Sequence, residues 1–148
     1  DPAIDTEAVF SPDGRTLYFT SDRAGSPQVY RAEAAADAAA RRVTFTGSYN
    51  ARPRLSPDGR QLAMVTLAGG GYRVAVQDLA TGVVRQLSKG PLDESPSFAP
   101  NASMILYAAR EGGRGVLYAV SADARVRQRL VVAGGDVSEP AWGPYRAR

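Results

Sequence analysis

Four short polar clusters recur at similar intervals: Asp5, Thr6 and Glu7; Tyr49, Asn50 and Arg52; Asp93 and Glu94; Ser138 and Glu139. Carboxylates, amides and a guanidinium grouped in this way can form a polar ring that receives a loop of a partner protein. They can instead accept backbone N–H groups and pin the segments that carry them. A third use is a hard cation such as Ca²⁺, which favours clustered carboxylates, but no ligand loop of EF-hand spacing is present. Glu7, Glu94 and Glu139 read as the same place in three repeats. The ring and the pin both stay open on residue chemistry alone.

Other chemistries are excluded by what the chain lacks. It has no Cys and no His. Thiolate metal sites, disulfides, cysteine nucleophiles and the Ser-His-Asp triad are therefore absent from these 148 residues. Gly69-Gly70-Gly71 is no phosphate loop, since neither Lys nor a helix follows. No pattern asks for a cofactor. No apolar run approaches the ~20 residues of a membrane helix, so direct membrane insertion is not expected. The stretch beginning at Asp1 has no charged-then-apolar leader, which fits a processed protein or an excised piece. Net charge is +3, and all but one of the 18 basic residues are Arg. Arg125, Arg127 and Arg129 alternate and would share one face of a strand. Without interleaved aromatics they read as a solvated outer strand rather than a nucleic-acid patch.

The elements that must carry the clusters follow from a repeat. Phe10-Ser11-Pro12-Asp13-Gly14 returns as Leu55-Ser56-Pro57-Asp58-Gly59, then as Phe98-Ala99-Pro100-Asn101-Ala102, and opens again at Trp142-Gly143-Pro144. The prolines stand 45, 43 and 44 residues apart, a period that marks propeller blades. Ser-Pro-Asp-Gly makes a tight turn: Pro presets φ, Asp bonds its own backbone and Gly takes positive φ. Alternation then marks strands, with Leu17 and Phe19 on one face and Tyr18 and Thr20 on the other.

Each unit reads as four strands, A to D. In the first these lie near Glu7–Phe10, Thr16–Thr20, Gln28–Arg31 and Arg42–Phe45. In the second they lie near Arg52–Leu55, Gln61–Thr66, Tyr72–Gln77 and Val84–Leu87. In the third they lie near Ser97–Phe98, Met104–Ala108, Val116–Val120 and Arg127–Val131. The alanine-rich stretch 33–40 reads as a loop with one helical turn. A thirteenth strand is expected at 138–142. The fold class is thus all-β, a partial β-propeller of about three four-stranded antiparallel blades plus one extra strand. The units are 5–48, 49–92 and 93–137, with a lone strand in 138–145. Tyr18, Tyr30, Tyr72, Tyr107 and Tyr118 are expected to pack between blades, and Trp142 to be core. Open ends on the first and third blades should expose apolar faces and drive self-association.

At this point the residues resemble a known family. Ile4-Asp5-Thr6-Glu7 leads into the first turn, and Phe19-Thr20-Ser21-Asp22-Arg23-Ala24-Gly25-Ser26-Pro27-Gln28-Val29-Tyr30 follows it. Gln77 to Gly82, Leu92 to Ser97 and Pro140 to Tyr145 extend the likeness over the whole chain. Together these resemble the TolB family. The resemblance implies the last half of a six-bladed propeller, in a periplasmic, non-enzymatic protein of the Tol-Pal system that maintains outer-membrane integrity. It implies binding of the lipoprotein Pal at the channel mouth, contact with other Tol proteins, and capture by some colicins. It ranks Thr6 and Glu7 above the other mouth residues.

The chain departs from the pattern at Asn101-Ala102, where Asp-Gly is usual, and at Ala8, where a proline is common. A second reading stays beside it: similar repeats occur in propellers that gate the catalytic domain of serine peptidases.

Overall fold

The computed structural model describes residues 3–132 and 134–143. Twelve strands appear in order: β1 (Asp5–Phe10), β2 (Thr16–Ser21), β3 (Gln28–Glu33), β4 (Arg41–Arg42), β5 (Asn50–Leu55), β6 (Gln61–Ala68), β7 (Gly71–Asp78), β8 (Val84–Gln86), β9 (Asp93–Phe98), β10 (Met104–Glu111), β11 (Arg114–Ser121) and β12 (Arg127–Leu130). They form three four-stranded sheets, each a meander in which every strand pairs antiparallel with the next. Among the described residues there is no helix.

The alternation read in the sequence decides what faces what. Tyr18 and Val29 of the first blade pack on Leu62 of the second. Ala63, Val74 and Val76 turn the other way and meet Ile105, Tyr107 and Val120 of the third. The core therefore lies between blades rather than inside one. Leu62, Met64, Ile105 and Tyr107 are wholly buried, each aliphatic contributing roughly 1.5–3 kcal/mol.

The turn repeats atom by atom. The Ser56 hydroxyl donates to Asp58 Oδ1 (2.6 Å), the Arg60 N–H donates to the same oxygen (3.1 Å), and the Gln61 N–H donates to Ser56 Oγ (2.9 Å). Ser11 and Asp13 make the same set. So do Ser121 and Asp123, in a β11–β12 turn that the marker motif does not announce. Gly14 and Gly59 take φ of 71° and 69°. Ala102 and Ala124 stand in the same conformation at 59° and 64°, where a Cβ costs roughly 1–2 kcal/mol.

Three expectations need correction. Residues 138–142 form no strand: strand A of a blade pairs with strand B, and among the described residues no B strand follows. The Trp142 N–H donates to Ser97 Oγ instead (3.0 Å), and Trp142 is 41% exposed rather than core. The stretch 33–40 has no helical turn; so short a helix is marginal even in alanine, and the Ala34 N–H is committed to the Arg15 carbonyl (2.8 Å). The outer strand β4 ends at Arg42, because the Thr44 hydroxyl turns inward to accept the Val29 N–H (3.0 Å). Four of the five tyrosines named above are buried; Tyr72 is 37% exposed and packs edge-on against Tyr49.

Candidate functional site

The first strand of each blade carries an irregularity at one repeated place. Pairing skips between Thr6 and Val9 in β1, between Ala51 and Arg54 in β5, and between Glu94 and Ser97 in β9. Inside those skips Glu7, Arg52 and Ser95 adopt φ of 57°, 56° and 55°, and Glu139 repeats the value at 48°. Each stands five residues before its unit's marker proline. These are β-bulges with a non-glycine residue in the left-handed region. Strain of this kind costs about 1–3 kcal/mol per residue and concentrates at sites of function. The equivalent set is therefore Glu7, Arg52, Ser95 and Glu139. Glu94 lies one position off, which corrects the triplet of glutamates expected from the sequence.

The bulges turn side chains into one groove of about 390 Å³, bordered by Glu7, Arg52, Ser95 and Glu139. Arg52 bridges two blades. Its Nε lies 3.1 Å from Glu7 Oε1 and its Nη1 lies 3.2 Å from Glu94 Oε2. Nη1 also donates to Ser95 Oγ (3.0 Å). The backbone N–H of Arg52 donates to Glu7 Oε2 (3.0 Å), and the Thr20 hydroxyl donates to the same oxygen (3.1 Å). The three charged side chains are about one-third exposed, so each pair is worth little, ~1 kcal/mol at most. What the Arg52 guanidinium does is gather a carboxylate of the first blade and one of the third around a single cation. Among the described residues no three acidic side chains converge on a metal position.

The other expected residues divide into open and closed. Asp5 is exposed and pairs with Arg23 at 2.9 Å. The Ser21 hydroxyl, with help from Arg23, holds its carboxyl below the usual carboxylate value. Thr6, Ser138 and Glu139 are exposed. Asn50 and Asp93 are not available to a partner: both are wholly buried. Asn50 Nδ2 donates to Gln28 Oε1 (2.9 Å) and to the Thr46 carbonyl (2.8 Å), which ties β5 to the first blade. Asp93 accepts the Gly90 N–H (2.7 Å) and closes the turn before β9. For these two the pin, not the ring, is what the geometry realises. The sequence reading missed Ser95 and Thr20. Counting back from the marker prolines would have found Ser95; nothing local points to Thr20.

A family model described as TolB beta propeller domain matches residues 1–146. The chain is 65% identical over 115 residues to the Tol-Pal system protein TolB of Xanthomonas campestris pv. campestris, covering 76% of this chain and 26% of that protein. It thus spans about a quarter of the length of that curated relative. The fold matches TolB from Acinetobacter baumannii with TM-score 0.86 and 51% identity, over 94% of this chain and 35% of that one. A puromycin-hydrolyzing peptidase from Mycobacterium tuberculosis matches with TM-score 0.66 and 22% identity, over 88% of this chain and 24% of that one; this likeness is one of fold alone.

Proposed function

The chain belongs to the TolB β-propeller family, and from that premise we propose that it is the protein-binding propeller portion of a Tol-Pal system protein. On this reading it works in the periplasm, acts by binding rather than catalysis, and receives Pal at the groove where the bulged strands converge. Other Tol proteins are partners of the assembled system, and outer-membrane integrity is its outcome. Colicins that exploit the system would enter by the same mouth.

The observation that carries the reading is the row of left-handed residues at Glu7, Arg52, Ser95 and Glu139. Backbone strain of this kind concentrates at sites of function, and its repetition at one place on the groove supports a binding mouth there. The contact residues assigned are Asp5, Thr6, Glu7, Arg52, Glu94, Ser138 and Glu139, with Asn50 and Asp93 as the buried frame behind them. The peptidase-gating reading has only the shared fold in its favour.

Two substitutions in the complete protein test it. Thr6 is exposed, so Thr6→Arg should weaken binding of the soluble Pal domain about tenfold, ~1.4 kcal/mol, with an unchanged melting temperature. Glu7→Ala should weaken binding and also cost some stability, because Glu7 accepts the Arg52 N–H across the blade boundary. Full Pal affinity in Thr6→Arg would remove the mouth from the interface.

A further inference from the structure

The residues just ahead of the mouth repeat as regularly as the bulges do. Ile4, Tyr49 and Leu92 each stand eight positions before their unit's marker proline, immediately before Asp5, Asn50 and Asp93. The place is apolar three times, yet none of the three is buried: Ile4 is exposed, and Tyr49 and Leu92 are half-buried. In the fourth unit it falls to Asp136, whose carboxylate accepts the Gly115 N–H. A polar residue is thus used structurally at this place, whereas the apolar ones stay at the surface.

On the second blade this row widens into a patch. Tyr72 packs edge-on against Tyr49, with ring centres 5.2 Å apart. Its cross-strand partner in β6 is Leu67, and a parallel bridge joins it to Leu92 at the entry of β9. The Leu67 N–H in turn donates to the Tyr49 carbonyl (3.2 Å). Leu67 and Tyr72 are both exposed. Scattered apolar residues at a surface need no explanation, but a contiguous patch rimmed by polar groups marks an interaction site. Among the described residues neither tyrosine hydroxyl makes a hydrogen bond. Burial, then Tyr72 and Glu7, raise the Tyr49 hydroxyl above the usual tyrosine value, which sets this ring beside the mouth carboxylate. The patch lies between the entries of β5 and β9, the two strands that Arg52 and Glu94 join at 3.2 Å.

We propose, on the reading that the mouth receives a partner loop, that this tyrosine patch anchors that same partner. An apolar side chain flanking the partner's loop covers Tyr49, Leu67 and Tyr72, and backbone carbonyls of the partner accept the two phenol hydroxyls. Tyrosine suits such an anchor because it buries a large rigid ring and keeps a donor at its edge. The mouth needs one. Glu7, Arg52 and Glu94 are already paired with one another, and a partner that takes up one of these charges must break a pair to do so. The polar mouth therefore sets position, and the patch beside it supplies the apolar area that holds the partner.

Calorimetry with the complete protein and the soluble Pal domain tests this. Leu67→Ser and Tyr72→Ser should each weaken binding about tenfold with an unchanged melting temperature, and Tyr72→Phe should keep most of the affinity. Val83→Ser, also exposed but in the turn at the far end of the same blade, should leave binding intact. Full affinity in Leu67→Ser or Tyr72→Ser, with Thr6→Arg impaired, would overturn the patch and leave the mouth standing. Full affinity in Thr6→Arg would remove the mouth, and the patch's role with it. An equal loss in Val83→Ser would reduce the effect to general surface polarity and overturn the proposal. So would a loss of self-association in Tyr72→Ser with Pal affinity unchanged, which would assign the patch to a second copy of the chain.

Discussion

Single residues carry strain and charge in this protein that their neighbours do not reveal. Ala102 and Ala124 hold a conformation that glycine adopts freely. Replacing either by Gly removes roughly 1–2 kcal/mol of strain but returns freedom to the unfolded chain, roughly 0.4–1 kcal/mol. Each substitution should therefore stabilise by about 0.5–1 kcal/mol, measurable by denaturant unfolding; a loss of stability would mean that the turn uses the Cβ. Tyr107 is the other sensitive residue. Burial pushes its hydroxyl up to about 12, against the opposing hydrogen bond from Arg127. The folded state thus holds this proton more tightly than the unfolded chain, whose tyrosines ionise near pH 10. The contribution is complete below pH ~10 and lost as pH rises towards ~12. Alkaline titration of stability should fall across that window, and Tyr107→Phe should flatten the fall.

At the scale of elements, the Ser-x-Asp turn is the unit that sets strand register. Hydrogen bonds from the Ser11, Ser56 and Ser121 hydroxyls, followed by backbone N–H groups, hold Asp13, Asp58 and Asp123 below the usual carboxylate value. A depressed folded value means that the stabilisation is present above the unfolded value of ~3.9 and disappears as pH falls through the folded one. Ser56→Ala should return Asp58 towards the ordinary value, read by NMR titration of its carboxyl carbon. An unmoved Asp58 would assign the shift to the Arg60 N–H instead. The clip between blades is a second element-level device. Asn50→Ala removes two buried hydrogen bonds that join β5 to the first blade and should cost about 1–3 kcal/mol. A neutral result would show that packing of Leu62 on Tyr18 and Val29 holds the blades unaided.

For the molecule as a whole, the question is what covers the outer faces of the first and third blades. On the first, the guanidinium of Arg23 lies 5.3 Å from the Phe19 ring centre and 4.8 Å from that of Tyr30, and both rings are buried. Phe10 nevertheless stays 62% exposed and Ile4 66%. The isolated 148-residue chain should therefore self-associate with rising concentration. Sedimentation velocity checks it: a monomer across a hundredfold range of concentration would mean that the cation–aromatic cap protects the face well enough.

The blades themselves were legible in the chain because their causes are local. A tight turn needs Ser, Asp and a residue tolerant of positive φ within four positions, and a half-buried strand needs alternation over five or six. Period, turn, strand order and fold class all followed from that. The helical turn at 33–40 failed because alanine's local preference yielded to strands that constrain both ends. The mouth was legible only as a list of polar residues. Which of them face a partner depends on bulges that shift side chains by one position and on Gln28 meeting Asn50 across a blade boundary. Tyr49 and Tyr72 likewise meet only when the second blade is assembled. These are contacts between segments 22 to 45 residues apart, and no local pattern encodes a distance that the packing of whole blades decides.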